Sequence, residues 1–160
     1  MFEFTNRKQN RLNGYDYSQN GKYFITICAK DRREVFSIIN VGAASCRPIN
    51  TKIGDIVENE IIVLSHLYVG TIVEYYVIMP NHIHIILSIN RYNDGRQDAA
   101  PTVSNMVNQW KRAISIKIGY SIWQKSFYDH VIRNEKEYLE IIEYIANNPM
   151  KWMDDRYYPK

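Results

Sequence analysis

A short polar break between two apolar runs constrains this chain more than any other feature of its sequence. Residues 75–79 and 83–87 are mostly apolar and rich in β-branched and aromatic side chains, and Pro80 separates them. Because proline cannot donate a hydrogen bond to a sheet, the break predicts a tight connection between two antiparallel strands. The second strand carries His82 and His84, which point to the same face because side chains alternate along a strand.

Two histidines at this spacing have two interpretations. On an extended strand their Cα atoms lie about 6–7 Å apart, which suits two imidazoles that converge on one cation. A pair of surface histidines without a ligand fits the pattern equally well, since histidine is both a common metal ligand and an ordinary surface residue. The remainder of the chain has to distinguish between them.

Length and composition indicate an ordinary globular protein. The 160 residues are 46% apolar and 23% charged, so we predict a single domain over residues 1–160. A formal charge of +3 is compatible with nucleic-acid binding but does not establish it. The thirteen tyrosines can stack on bases, or they can fill an aromatic core with their hydroxyls at the surface.

Cysteine usage and hydropathy bear on the compartment. The two cysteines, Cys28 and Cys46, form no CxxC motif, which argues against a zinc ribbon or a disulfide framework. No apolar stretch reaches 18 residues, and the N-terminus has no signal-peptide core. We therefore expect a cytoplasmic protein, associated at most with the nucleoid.

Hydrophobic periodicity predicts the element order β, α, β, β, α, followed by a terminal helix. The predicted strands are 23–28, 71–79, 82–89 and a short one at 127–132; the predicted helices are 52–66, 102–118 and 134–147. Residues 37–50 are predicted to be a loop, and residues 1–22 a basic arm that either contacts phosphates or is a frayed terminus. This order is typical of an α+β, ferredoxin-like split βαβ sandwich, an antiparallel sheet with helices on one face plus the C-terminal helix.

The terminal helix carries two further candidates. Tyr144 and Asn148 are four residues apart and share a helix face, with Asn148 at the frayed end beside Pro149. Taken alone, they are explained as a surface tyrosine and a C-terminal cap. The predicted buried stripe of this helix consists of Tyr138, Leu139, Ile141, Ile142 and Ile145.

Four ordered blocks, spread over nearly the whole chain, resemble the REP-associated tyrosine transposases of the HUH (histidine–hydrophobe–histidine) single-strand endonuclease superfamily. The blocks are Tyr75–Leu87 with its Met-Pro-Asn-His-Ile-His core, Trp123–Asn134 with its Trp-Gln start, Tyr144–Pro149, and the N-terminal segments 14–17 and 23–28. The resemblance implies that Tyr144 is a nucleophile and that His82, His84 and Asn148 hold one divalent cation, Mg²⁺ or Mn²⁺. It also implies a 5′-phosphotyrosine intermediate formed on palindromic, hairpin-forming single-stranded DNA.

Other residues are weaker candidates. His130 lies in the Trp123–Asn134 block and could be a base, an outer-shell ligand or a DNA contact, whereas His66 ends a helix and is expected at the surface. The predicted phosphate contacts are Arg7, Arg11, Lys111, Arg112, Lys125 and Arg133. The predicted base-stacking residues are Tyr15, Tyr17, Trp123 and Tyr128, although the core explains Trp123 at least as well.

The sequence leaves three functions to be weighed. The first is metal-dependent nicking and strand transfer on single-stranded DNA. The second is a catalytically silent hairpin-binding protein of the same fold, which the intact tyrosine, histidine pair and asparagine argue against. The third is a ferredoxin-like module with no nucleic-acid partner, which the motifs do not favour. Nothing in the sequence separates a monomer from a homodimer, or a mobile from a domesticated transposase.

Overall fold

The fold is built on a four-stranded antiparallel sheet. A computed structural model describes residues 14–42, 46–91 and 101–159. In chain order its elements are β1 (Gly21–Cys28), β2 (Ser37–Ile38), β3 (Ile49–Asn50), α1 (Lys52–Leu67), β4 (Thr71–Ile78), β5 (His82–Ile89), α2 (Val103–Ile118), β6 (Tyr128–Ile132) and α3 (Glu135–Asn147). The strand order in the main sheet is β4-β5-β1-β6, and every neighbouring pair is antiparallel.

The two faces of this sheet carry different layers. On one face, the alternate β5 side chains Ile83, Ile85 and Leu87 join the hydrophobic core, to which α1 and α2 contribute their apolar stripes. Helix α3 lies on the other face, where its Tyr144 ring contacts His84. The α+β class with an antiparallel sheet is thus confirmed, with two helices on one face and the tyrosine-bearing helix opposite.

Local capping explains where the helices begin. The side chains of Thr51, Thr102 and Asn134 each accept a hydrogen bond from the backbone N–H three residues on. Gly119 ends α2 in the left-handed region at φ 92°, as the sequence predicts. Gly54 in α1 is required for space, because a Cβ there would lie 2.1 Å from the carbonyl oxygen of Phe36.

Two expectations about the elements need correction. Residues 37–50 are not entirely a loop, because β2 and β3 pair there as a small antiparallel ladder. Leu139 does not belong to the buried stripe of α3: it is 55% exposed, and Ile145 is the helix's fully buried apolar residue. The predicted stripe is therefore rotated too far toward Leu139. The face of α3 that meets the sheet includes Asn148, which is buried.

Strand β4 contains a β-bulge. Its register against β5 shifts between Val73 and Tyr75, so Glu74 is the extra residue.

Among the helices that the structure describes, none has the length and apolar character to cross a bilayer.

Candidate active site

The paired histidines of β5 converge on one point under cover of the fold. His82 and His84 are 0% and 1% exposed, and their Nε2 atoms are 3.1 Å apart. Two nitrogens that each lie about 2.1 Å from one cation, at angles of roughly 90–109°, are about 3.0–3.4 Å apart. The observed separation fits two ligands to a single metal ion, and it equally fits a hydrogen bond between the two rings. A solvated surface pair, the other interpretation of this motif, is excluded by the burial.

The partner strand orients His84. Thr26 of β1 lies directly opposite His84 in the ladder, and its Oγ1 is 2.8 Å from His84 Nδ1. The Phe24 ring stacks on the imidazole with centroids 5.1 Å apart. An Nδ1–H that donates to Thr26 leaves the Nε2 lone pair free for a cation, the usual arrangement of a metal-binding histidine.

Asn81 orients His82 in the same way. Its Nδ2 donates to the backbone carbonyls of Arg32 and Tyr157, at 3.3 and 2.8 Å. Its Oδ1 lies 2.9 Å from His82 Nδ1 and can only accept, so Nδ1 carries the proton. The Nε2 lone pair of His82 consequently faces His84 Nε2. That atom donates a hydrogen bond to it or, when the His84 proton is on Nδ1, offers a second lone pair to a cation between the rings.

Burial keeps both imidazoles neutral. It lowers the pKa of His82 to about 4, against the opposing influence of Asp155 and Asn148. Burial and the neighbouring His82 also lower the pKa of His84 well below its usual value. Both rings therefore offer lone pairs at neutral pH, which is the state a metal requires.

Tyr144 of α3 reaches this pair within the same chain. Its hydroxyl is 3.4 Å from His84 Nε2, and the two rings meet edge to face with centroids 5.2 Å apart. The side chain is nevertheless 41% exposed, so a substrate can approach it. Burial, followed by the electrostatic influence of Asp155 and Tyr157, raises the pKa of Tyr144 to about 12, which keeps the hydroxyl protonated in the free protein.

Asn148 completes the group from one turn further along. It is 2% exposed rather than frayed, and its Nδ2 donates to Asp155 Oδ2 at 2.9 Å. In the described part of the chain its buried Oδ1 has no hydrogen-bond partner, which is costly unless a ligand supplies one. Two neutral imidazoles and one unpaired amide oxygen are three donor atoms that could hold one divalent cation. The described residues contain no cluster of three or more His, Cys, Asp or Glu side chains arranged for a metal.

The segment after α3 folds back over the histidines. The Tyr157 ring lies 4.5 Å from the His82 ring between centroids, and the Trp152 ring lies 6.0 Å from it. A cavity of about 410 Å³ lies beside Tyr144, lined by Glu140, Glu143, Asn147, Asn148, Lys151, Asp154, Asp155 and Arg156. The structure thus places this C-terminal tail in contact with the site.

Several predicted residues lie elsewhere. The hydrogen-bond partner of His130 is Glu137 in the first turn of α3, at 2.6 Å. The prediction that Lys111 contacts phosphates needs correction. The residue is only 8% exposed, and its Nζ donates to the Gln124 carbonyl at 2.8 Å instead of facing the surface as a phosphate contact would. Trp123 is a core residue that packs between Phe36 and Trp110.

The remaining candidates divide by exposure. Arg112, Lys125, Arg133, Tyr128 and His66 are exposed, and Lys125 lines a surface groove together with Lys30 and Arg32. Tyr17 is buried and Tyr15 half-buried, and the two pack against Tyr23 rather than presenting free faces for bases. The predicted contacts Arg7 and Arg11, with most of the proposed N-terminal arm, lie outside the described residues.

Sequence reasoning missed the residues that support the site. Thr26 has no local signal, because its role depends on the β1–β5 register. Asn81 stands next to His82, but its orienting role depends on two backbone carbonyls from distant parts of the chain. Asp155 and Tyr157 come from the C-terminal segment, where the sequence shows no motif.

Comparisons with known proteins agree with this architecture. No family model matches the chain. The chain is 29% identical over 171 aligned positions to an uncharacterized protein of Haemophilus influenzae, covering 95% of this chain and 93% of that one. It is 33% identical over 76 residues to a REP-associated tyrosine transposase of Escherichia coli, covering 48% and 42% of the two chains.

A solved structure shares the fold. It is a REP-associated tyrosine transposase bound to a REP hairpin, with a TM-score of 0.66 at 23% identity, covering 89% of this chain and 74% of that one. Fold and site together define an α+β protein in which a tyrosine-bearing helix crosses a His-x-His strand. Within that class, the chain is similar in sequence to the REP-associated tyrosine transposases and shares the fold of one of them, which confirms the resemblance seen in its sequence. These relatives support a transposase or nuclease kind of activity.

Proposed function

We propose that this protein nicks and rejoins single-stranded DNA in a metal-dependent reaction, with Tyr144 as the nucleophile and REP-like hairpins as the substrate. One observation carries the proposal: a tyrosine hydroxyl lies 3.4 Å from one of two converging, buried imidazoles of the same chain. A structural tyrosine has no need of such neighbours, whereas a phosphodiester nucleophile does.

The cation would be held by His82 Nε2, His84 Nε2 and Asn148 Oδ1, the three atoms that the fold leaves without a better partner. When bound, Mg²⁺ or Mn²⁺ supplies Lewis acidity that polarises the scissile phosphate and favours ionisation of a nearby hydroxyl. With their Nδ1–H groups donating to Thr26 and Asn81, both histidines keep an Nε2 lone pair available to it.

The chemistry of Tyr144 follows from its position. Its oxygen attacks the phosphorus in line with the 3′ oxygen; the tyrosine–phosphorus bond forms and the bond from phosphorus to that oxygen breaks. The tyrosine proton passes to solvent, which reaches the partly exposed side chain, and the departing oxygen takes up a proton to become a free 3′-OH. A phosphodiester is exchanged for a phosphotyrosine diester, so a later 3′-OH can reseal the strand without ATP.

The proposed DNA partner rests on relatives and on surface charge. The structural neighbour was solved with a REP hairpin, and this chain has a formal charge of +3. Arg112, Lys125 and Arg133 are exposed and available for phosphates. Because one chain holds Tyr144 and both histidines together, we further propose that a monomer is sufficient for cleavage.

Substitution of the nucleophile tests this proposal. Wild-type protein, Mn²⁺ and a 3′-labelled hairpin oligonucleotide with a single-stranded flank should give a labelled protein–DNA adduct on a denaturing gel. Tyr144→Phe should reduce adduct formation by at least about 1,000-fold, because nothing else at that position can form the ester. Hairpin affinity should change less than twofold, since the ring remains. The matched control is Tyr120→Phe, which alters another exposed tyrosine and should retain full activity.

Two results would overturn the assignment. A Tyr144→Phe variant that still forms the adduct would require a different nucleophile. A wild-type protein that binds the hairpin but forms no adduct with Mg²⁺ or Mn²⁺ would favour the catalytically silent hairpin-binding protein instead.

A further inference from the structure

Helix α3 is attached to the sheet by little apolar burial. Ile145 is its one buried apolar residue, Leu139 and Tyr144 are 55% and 41% exposed, and the rest of its inner face is only half-buried: Tyr138, Ile141 and Ile142. A helix of 13 residues is not stable by itself in water and depends on tertiary contacts for its position. Other interactions must therefore fix the helix that carries Tyr144.

A polar cluster near the start of α3 supplies such a contact. The Tyr138 hydroxyl donates to Glu74 Oε2 at 2.5 Å, and Lys22 Nζ forms an ion pair with Glu74 Oε1. The Lys22 ammonium also lies 4.4 Å from the centroid of the Tyr138 ring. We call these three residues the latch; they join β1, β4 and α3 at one point.

The β-bulge of β4 makes the latch possible. Glu74 is the inserted residue and has no paired residue on β5. Val73 before it pairs with Leu87, and Tyr75 after it pairs with Ile86. Bulges commonly redirect a side chain in this way. Here the redirected carboxylate lies under the Tyr138 hydroxyl instead of extending into solvent.

The charges of the latch are mutually supportive. Burial acts to raise the pKa of Glu74, but the hydrogen bonds from Lys22 and Tyr138 outweigh it, so the pKa is lowered. The bond to Glu74 in turn raises the pKa of Tyr138 to about 12, which keeps its hydroxyl a donor. The latch is therefore fully formed throughout the neutral pH range.

We propose that Glu74 is a positioning residue: through Tyr138 it holds α3 against the sheet so that Tyr144 is presented to the histidine pair. The two tyrosines are six residues apart, which is about 9 Å along the helix. A rotation or shift of the helix at Tyr138 is therefore transmitted to the Tyr144 hydroxyl. Because a misplacement of about 1 Å can cost about 100-fold in rate, a loose helix would slow the attack without weakening DNA binding.

Position is tested first, in the DNA-free protein. Tyr138→Phe removes the hydroxyl but keeps the ring under Lys22. We expect amide exchange in residues 138–147 to accelerate about five- to tenfold, with β1 and β5 unchanged. Nuclear Overhauser contacts between the Tyr144 ring and the Phe24 and His84 rings should weaken. Glu74→Ala should behave alike, and Glu74→Gln, which keeps an acceptor for Tyr138, should restore most of the protection.

The kinetic test rests on the proposed function. In single-turnover reactions with Mn²⁺ and a hairpin substrate, Tyr138→Phe should lower the maximal adduct rate about tenfold and leave the half-saturating DNA concentration unchanged. The matched control is Lys136→Gln, which removes the exposed 3.9 Å Lys136–Glu140 pair from the same helix and should have no effect.

The outcomes separate the two proposals. Unchanged exchange and unchanged ring contacts in Tyr138→Phe would overturn the latch, as would a looser helix that reacts at the wild-type rate. A wild-type protein that forms no adduct would contradict the proposed function, and the exchange and ring-contact measurements would then decide the latch alone.

Discussion

The side chains of strand β5 are equally buried on the two faces of the central sheet, but their chemistry differs. On the α1–α2 face, Ile83, Ile85 and Leu87 are 0–2% exposed and surrounded by hydrocarbon. On the α3 face, His82 and His84 are just as buried, yet each polar atom has a specific partner or faces the other ring. Burial therefore does not identify the functional face; the arrangement of hydrogen-bond donors and acceptors does.

The difference also concerns what remains unpaired. On the core face the buried Thr71 hydroxyl has no partner in the described part of the chain, and it carries only a cost. On the α3 face the unpaired Asn148 Oδ1 accompanies two imidazole lone pairs, and together they form a set that one cation would satisfy. Substitutions on the two faces should consequently separate stability from metal binding.

The largest separation is expected at His84. His84→Asn places an amide where Nδ1 was and keeps a donor for Thr26, but it removes Nε2. Affinity for Mn²⁺, measured by the electron paramagnetic resonance signal of the free ion, should fall at least about 100-fold because one of few ligands is lost. The free energy of unfolding in urea should fall by less than about 2 kcal/mol.

Ile85 is the counterpart on the core face. Ile85→Ala should cost about 2–5 kcal/mol of unfolding free energy, and Ile85→Val about 0.5–1.5 kcal/mol, while Mn²⁺ affinity in the folded protein stays within about twofold. A His84→Asn variant that retains Mn²⁺ binding, or an Ile85→Val variant that loses it, would break the distinction between the faces.

The same change from threonine to valine, made once on each face of the sheet, gives a sharper test. Thr26→Val deprives His84 Nδ1 of its partner, so Mn²⁺ affinity should fall about 10- to 100-fold and stability by about 1–3 kcal/mol. Thr71→Val instead removes the buried, unpaired hydroxyl and should leave stability unchanged or raise it by up to about 1 kcal/mol. Isothermal calorimetry and thermal unfolding measure both quantities. Equal effects of the two substitutions on Mn²⁺ affinity would refute an orienting role of Thr26.

The smallest effects concern DNA affinity and follow from the correction at Lys111. Lys111→Met should lower stability by about 1 kcal/mol through the lost bond to Gln124, with hairpin affinity unchanged within twofold. Lys125→Met should weaken hairpin binding two- to threefold and reduce the salt dependence by about one counterion, because Lys125 is exposed. Fluorescence anisotropy over a salt series distinguishes them, and a larger loss for Lys111→Met would restore it as a DNA contact.

Much of the fold could be read from local sequence. The helix caps at Thr51, Thr102 and Asn134 and the glycine at 119 lie where short-range rules predict, since capping depends on neighbouring residues alone. Side-chain alternation likewise placed His82 and His84 on one face. The proximity of Tyr144 was implied only by the family resemblance, because no local pattern states which helix crosses which strand.

The misses share a long-range cause. Whether Leu139 or Asn148 contacts the sheet depends on the rotation of α3 about its own axis. The hydrophobic periodicity of the helix determines that rotation only approximately. The burial of Lys111 depends on a hydrogen bond from its ammonium group to a carbonyl thirteen residues away. Thr26, Asp155 and Tyr157 acquire their places from strand register and from the return of the C-terminal segment, neither of which composition or spacing reveals.

The bulge in β4 has a consequence for contacts between chains. Strand β4 is the outer strand of the sheet at one side, and its exposed Ile72, Tyr75 and Tyr76 would otherwise favour pairing with a strand from another molecule. An inserted residue interrupts the ladder midway along that edge. The residue that we propose to position the nucleophile thus also discourages edge-to-edge aggregation, so Glu74→Val should promote self-association at high concentration.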